Sequence, residues 1–469
     1  MDWDIKGVIN VKKIHKIIIP LVLCLILLIS GNQLSQANEL TLEESIEIAK
    51  NNNLNILMME YDIKMAETGI KSAEAASMPT LSFLHSYTRQ KEQDFDLPEG
   101  EIDIPDGPSL DFDFEEFEDE LSGALPMLAE EMFYTELSGQ YPLYTGGRLD
   151  TAVKQAETGF SMAGLQYKSE IISLAAEVAE SYFSVLQAQA GVDLSREFLE
   201  QAEEFLKLTK DQYEAGMVTR SDVLQAEAEK SGVERSLRQA ETGLEMAKRN
   251  FTYLLGLSPH YDFKLAEVEL DDYDLPVSKQ NALQTARENN PDLLLLERNK
   301  DLAEYGIDMA EAEKKPNVFV GGDYTWQDTE WGLDNGSWSL NIGLNYDIFD
   351  GGARDAEIES AHLEREQLDK SYEYAVEGIE MGVDQIYYQL VEIIDTAEFL
   401  EQQKKAALEN LDLTTVRYEA DLVTALEVTS AQTELRQTEM ELIQHKYEFL
   451  TIQATLAELM GYESIHRLH

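Results

Sequence analysis

Residues 213–226, YEAGMVTRSDVLQA, and residues 418–431, YEADLVTALEVTSA, read almost alike at an offset of 205. The same offset approximately relates LYTGGR (143–148) to IFDGGAR (348–354), and Gly256 to Gly461. Further upstream, AKNNN at Ala49 matches ARENN at Ala286 and Pro79 matches Pro316, at an offset of 237. The chain is therefore an internal duplication, with residues 38–276 as the first structural repeat and 277–469 as the second. The two offsets differ by 32, so the first copy carries that many extra residues between Pro79 and Gly146.

Each repeat reads as helix, strand, loop, strand, helix, tip, helix. In SWSLNIGLNYDIF (337–349), Trp338, Leu340, Ile342, Leu344, Tyr346 and Ile348 alternate with Ser337, Ser339, Asn341, Gly343, Asn345 and Asp347. That is a period of two with one apolar and one polar face. Its first-repeat equivalent sets Leu137, Tyr141 and Leu143 against Glu136, Ser138 and Gln140. Weaker strands precede them at 80–88 and 317–326.

Elsewhere the period is helical. Ile379, Val383, Ile386, Leu390, Ile393, Ala397 and Leu400 recur at steps of four and three, the seam of a packed coiled coil. No proline lies between Gly147 and Tyr213, which allows one helix of about 65 residues, roughly 100 Å long. Residues 219–255 and 280–315 are each expected to give a helix of roughly 55 Å.

The 469 residues include 90 Asp or Glu and 37 Lys or Arg, a formal charge of −53. Such a surface repels phosphate, which excludes nucleic acid as a partner; it suits a salty medium, where repulsion is screened. At the N-terminus, Lys12, Lys13 and Lys16 precede the apolar run IIIPLVLCLILLI (17–29), and small residues end at Ala37. This order is that of a secretory signal peptide, residues 1–37. The preceding MDWDIKGVIN is odd for a signal and leaves a translation start at Val11 open. The single cysteine, Cys24, lies inside the apolar run, which argues against lipidation and excludes an internal disulfide.

Export, amphipathic strands with aromatic ends (Tyr87, Tyr324, Trp326, Trp338) and no spanning helix after the signal point to an outer-membrane β-barrel. A soluble antiparallel sheet gives the same alternation. Only four strands are available, whereas the smallest bacterial barrels have about eight. A barrel then requires several chains to pool their strands.

The duplicated strand pair, the GGR and GGAR turns and the YEAG…DVLQA and YEAD…EVTSA tips together resemble the TolC-like outer-membrane efflux proteins, over residues 40–461. The resemblance implies a mainly α fold with a small β part: a long α-helical coiled-coil barrel continued by a transmembrane β-barrel. Three chains would form it, each giving four strands to a twelve-stranded barrel in outer-membrane lipid and four helices to a periplasmic tunnel. It further implies that the tips, Gly216, Met217, Val218 and Thr219 with Asp421, Leu422, Val423 and Thr424, meet a periplasmic adaptor of an inner-membrane transporter. Acidic rings narrow the entrance in that family. Position matching puts Glu427 in the first ring and Ser430 where a second acid is expected, with Asp222 as the first-repeat equivalent of Glu427. The second tip departs from the family's glycine, having Asp421. A purely structural role for Gly216 as a helix end, and for Glu427 as an ordinary solvated carboxylate, stays open beside these roles.

Residues 92–120 hold fourteen acids and no base. They fall in a loop, 91–131, that the order of strands makes extracellular; its carboxylates leave calcium binding open although no EF-hand spacing is present, and a flexible, solvated loop is the expectation. No GxxxxGK[ST], GxSxG or HExxH occurs, and the seven histidines are scattered. The expectation is a passive conduit of a tripartite efflux or type I secretion system, without catalytic residues, cofactor or metal. Its rival is an exported structural coiled-coil protein, a periplasmic spacer or surface fibre.

Overall fold

The computed structural model describes residues 39–89, 131–268, 270, 273–328, 336–420 and 422–468. The signal segment with Cys24, the acidic segment from Glu92 to Glu120 and Asp421 lie outside the described residues. In chain order the elements are β1 (Glu39–Leu40), α1 (Leu42–Asn52), α2 (Leu54–Ala75), β2 (Thr80–Arg89), β3 (Glu131–Tyr144), α3 (Arg148–Glu214) and α4 (Arg220–Leu254). The second repeat continues with β4 (Lys264–Leu265), α5 (Lys279–Asn289), α6 (Pro291–Ala312), β5 (Asn317–Asp328), β6 (Gly336–Asn345), α7 (Ala353–Glu419) and α8 (Ala425–Leu459). A 3-10 turn, Ile465–Arg467, closes the described chain. Contacts divide the molecule into two units, one of residues 39–57, 169–290 and 379–468, the other of 58–168 and 291–378. Each unit draws on both repeats, so the contact units cut across the division at residues 276 and 277.

The first unit is helical. The proline-free runs form α3 and α7, 67 residues each. Val383, Leu390, Ile393, Ala397 and Leu400 of the expected seam are buried, and Ile379 and Ile386 pack against them. One expectation is corrected here: residues 280–315 are two helices, not one. Asn290, ahead of Pro291, takes the extended pair φ −61°, ψ 121°, because the proline ring disfavours helical backbone in the residue before it. The first repeat breaks at the same place without a proline. Asn53 is extended (φ −70°, ψ 122°), and its Oδ1 accepts the N–H groups of Asn55 (2.8 Å) and Ile56 (3.3 Å), restarting the helix as a cap.

Sequence reading also missed β1 and β4, a two-residue parallel pair. Tyr182 explains it. This residue is 1% exposed, its ring meets Phe183 and Phe251 edge-on, and its hydroxyl donates toward Leu40 O (2.9 Å) and Ala266 O (2.7 Å). Glycines at the ends of the repeats allow close packing in the same unit. At Gly461 (φ +77°) a Cβ would stand 2.4 Å from Asn289 O, and at Gly256 (φ +67°) 2.8 Å from Asn52 Cβ. Each repeat thus closes on its own first helix.

The second unit holds the sheet, in the order β2-β3-β5-β6, with all neighbours antiparallel. The period of two survives folding. Leu81, Phe83, Tyr87, Phe133, Leu137, Val320, Tyr324, Trp326, Trp338, Leu340, Ile342 and Leu344 share one face by register. Ser82, Ser86, Glu136, Ser138, Gln140, Asp323, Ser339 and Asn341 share the other. β6 stops at Asn345, short of the expected 349, whereas β3 runs on to Tyr144 through a register shift between Pro142 and Tyr144.

Candidate functional site

The two hairpin tips are built alike. At the first, α3 ends at Glu214, Gly216 takes φ +76°, and the Met217 N–H donates back to Gln212 O at 2.9 Å. This six-to-one bond is the helix-ending motif in which a left-handed residue lets the chain turn. At the second, the Leu422 N–H donates to Arg417 O at 2.9 Å, the bond equivalent under the 205-residue offset. The helix-ending bond is kept although Asp421 stands in place of glycine. Val218 and Val423 pack against the buried cluster that includes Phe205, Ala226, Tyr418, Ala425 and Val428, whereas Met217 and Leu422 are 53% and 73% exposed. Leu224 and Leu426 are exposed beside them. The tips therefore present apolar side chains to the outside while anchoring through the valines.

Thr219 and Thr424 start α4 and α8 as capping boxes. The Asp222 carboxylate accepts from the Thr219 N–H (2.9 Å) and hydroxyl (2.6 Å). The Ala425 N–H of the other hairpin also favours its charged form, an electrostatic contact between the two tips. The Thr219 hydroxyl, acting against partial burial and together with the Thr219 and Ala425 N–H groups, holds this carboxyl below the usual Asp range. Glu427 makes the weaker version, accepting from Thr424 N at 3.3 Å and Oγ1 at 3.4 Å on an exposed surface. Ser430 donates to Leu426 O of its own helix at 2.8 Å. Two entrance candidates thus have a local task at a helix start. Thr219…Asp222 and Thr424…Glu427 spell the threonine-x-x-acid capping signal in the sequence, where it went unread.

Other contacts had no short-range signal. The buried Tyr418 hydroxyl donates to Thr209 Oγ1 at 3.2 Å, its ring lies 5.2 Å from Phe205, and Arg436 on α8 pairs with Glu229 on α4 at 3.1 Å. These join residues about 205 apart, so only the duplication hints at them. Among the described residues, no three His, Cys, Asp or Glu side chains converge to hold a metal, and no helix is long and apolar enough to cross a membrane.

The sheet is a separate candidate surface. Its apolar face is bare, with Trp338, Leu340 and Ile342 each more than 70% exposed. From Trp338 to Leu344 this face extends about 20 Å, close to the ~25 Å apolar band of an outer-membrane barrel. Aromatic rings gather at one end, Tyr87 on Phe133 at 4.9 Å and Tyr324 on Trp326 at 4.2 Å. Among the described residues, no further strand pairs with β2 or β6 beyond β3 and β5.

The model of the family described as outer membrane efflux protein matches residues 45–257 and 282–462. Outer membrane efflux protein BepC of Brucella suis is 22% identical over 322 residues, 68% of this chain and 70% of its own length. Pyoverdine export outer membrane protein OpmQ of Pseudomonas putida is 21% identical over 418 residues, 89% and 84%. Among solved structures, the outer membrane protein VceC of Vibrio cholerae superposes with a TM-score of 0.71 at 17% identity, covering 90% of this chain and 96% of VceC. The open-state MtrE outer membrane channel of Neisseria gonorrhoeae gives 0.71 at 19%, covering 90% and 89%.

Proposed function

The chain belongs to the outer membrane efflux protein family, and from that premise we propose that three copies form the exit duct of a tripartite efflux or type I secretion system. The observation that carries the trimer is the sheet: four strands among the described residues, a largely apolar face with Trp338, Leu340 and Ile342 bare, and no further described strand beside β2 or β6. Four strands are half of what the smallest barrel needs, and a bare apolar face is unstable in water but suited to lipid once the barrel closes. The polar face, with Glu136, Asp323 and a row of serines, then lines an aqueous lumen.

The hairpin tips form the periplasmic entrance. Met217 and Leu422 dock a periplasmic adaptor, and that adaptor joins the duct to an inner-membrane transporter that supplies the energy. Gly216, Val218, Thr219, Val423 and Thr424 set the shape of the two turns. Asp222 ties one tip to the other, and three copies of Glu427, with Ser430 beyond them, face the narrow opening. Family membership argues against a spacer or fibre. Fractionation followed by planar-bilayer recording tests the reading. A discrete conductance from protein extracted out of the outer membrane supports it, and an outer-membrane protein that forms no conductance refutes it.

A further inference from the structure

Three glutamines occupy apolar places in the helices behind the tips. Along α3, Leu194, Phe198, Gln201, Phe205, Leu208 and Gln212 follow one another at steps of four and three, the seam spacing of packed helices. On α8, Gln432 lies four residues after Val428 and three before Leu435, both in the same buried cluster. Gln212 is 9% exposed and Gln432 8%. Their side-chain oxygens, and that of Gln201, are buried and have no hydrogen-bond partner among the described residues.

Neighbouring polar side chains in these helices do find partners. The Thr209 hydroxyl donates to Phe205 O at 2.9 Å, that of Thr429 to Leu426 O at 3.1 Å, and Gln403 Nε2 to Thr438 Oγ1 at 3.3 Å. The duplication supplies an internal comparison. Position 432 moved back by 205 is Glu227, which pairs with Lys210 at 3.2 Å. Position 212 moved forward by 205 is Arg417, which is exposed to water. In the other repeat, then, the same two places hold groups that reach a partner or solvent. A polar residue that fixes the register of a helix seam commonly does so by pairing across it. The oxygens of Gln212 and Gln432 pair with nothing, so what remains is the cost of drying them.

We infer that Gln212 and Gln432 weaken the closed packing of the two hairpins, because that packing leaves their carbonyl oxygens dry and unpaired and parting the hairpins returns both to water. The inference rests on reading the tips as the entrance. The apolar cluster around Phe205, Tyr418, Val428 and Leu435 and the contact of Asp222 with Ala425 favour closure, and the glutamines oppose it. A partner docked on Met217 and Leu422 then has less packing to overcome when the hairpins part. The two residues sit on different hairpins, one on α3 and one on α8, so each hairpin carries part of the bias.

Methionine tests this directly, since it is unbranched like glutamine, fills irregular apolar space and has no oxygen to hydrate. The variants are Gln212→Met, Gln432→Met and the pair together. Hydrogen–deuterium exchange on detergent-extracted protein is read on peptides 205–226 and 418–435, with 383–400 as the control. Each single variant should slow exchange at the tips about tenfold and the pair should slow it further, while the control stays unchanged. Gln432→Glu, which puts a charge in the same place, should speed it. Methionine variants that exchange as fast as the native protein, or faster, overturn the inference, because the oxygens are then satisfied in solution. Failure of the methionine variants to assemble overturns it too, since glutamine would then be supporting the packing. In planar bilayers the double variant should open less often. Slower exchange with unchanged opening removes the glutamines from the entrance and leaves them a packing cost. Native protein that never conducts refutes the duct itself, an outcome separate from the exchange result.

Discussion

Asp222→Ala should loosen both hairpin tips, not only the one that carries it. The carboxylate satisfies the Thr219 N–H at 2.9 Å and hydroxyl at 2.6 Å, and its charge is also favoured by the Ala425 N–H at the start of α8. A hydrogen bond to a charged acceptor contributes about 1.5–3 kcal/mol net when buried. This site is only half-buried, so a total loss of about 2 kcal/mol is the fair value once solvent screening is allowed for. That is roughly a 30-fold rise in the local opening equilibrium. Glu427→Ala removes only two long bonds on an exposed surface, worth about 0.5 kcal/mol or less, roughly a twofold change. Hydrogen–deuterium exchange on trimers in detergent, read on peptides covering 213–226 and 418–431, separates the two. Asp222→Ala should accelerate exchange in both peptides, and Glu427→Ala only slightly in the second. Unchanged exchange at the second tip in Asp222→Ala would refute the cross-tip link. The pH dependence has a definite sign. The folded-state Asp222 pKa is depressed, so its stabilisation is present above the ordinary Asp value of about 4 and fades as pH falls through the lower folded value. Acidification through that lower folded value should therefore reproduce the Asp222→Ala pattern.

Met217→Asp combined with Leu422→Asp puts charge on the exposed tip residues; export should fail while trimers remain in the outer membrane, and undiminished export would place the adaptor elsewhere. Glu427→Gln should lower the cation-to-anion permeability ratio in planar bilayers, most clearly at low salt. Its control is the exposed Glu441→Gln, about 21 Å along the helix, because Glu439 is paired with Lys404 at 3.2 Å. Equal effects from the two variants would make Glu427 an ordinary surface carboxylate. Gly461→Ala should destabilise by about 2–5 kcal/mol, since it adds overlap with Asn289 O to left-handed strain. Gly216→Ala, with open space around its Cβ, should cost about 1–2 kcal/mol. Equal shifts in chemical unfolding would contradict the packing of Gly461.

The elements that carry their own period were legible from sequence. Trp338 to Leu344 alternated, the seam from Val383 to Leu400 recurred at helical steps, and the proline-free runs became α3 and α7. What escaped was set by distant partners. β1 and β4 are two residues each and exist through the Tyr182 hydroxyl, which no local pattern announces. The break after Asn289 was written in Pro291, and the matching break at Asn53 only in an asparagine that caps the next helix. β6 was read too long because its alternation continues to Ile348, while a strand also needs a neighbour. At the tips the sequence located the turns through the repeat. The helix-start duties of Asp222 and Glu427 were legible as capping boxes and were hidden by the pull of a gate.

Light scattering on protein extracted from the outer membrane, with the detergent mass subtracted, tests the shared barrel most directly. Three times the chain mass is the predicted result, because the four strands of the described sheet are too few to close a barrel without pooling. A stable monomer that still inserts in the membrane and conducts would contradict it.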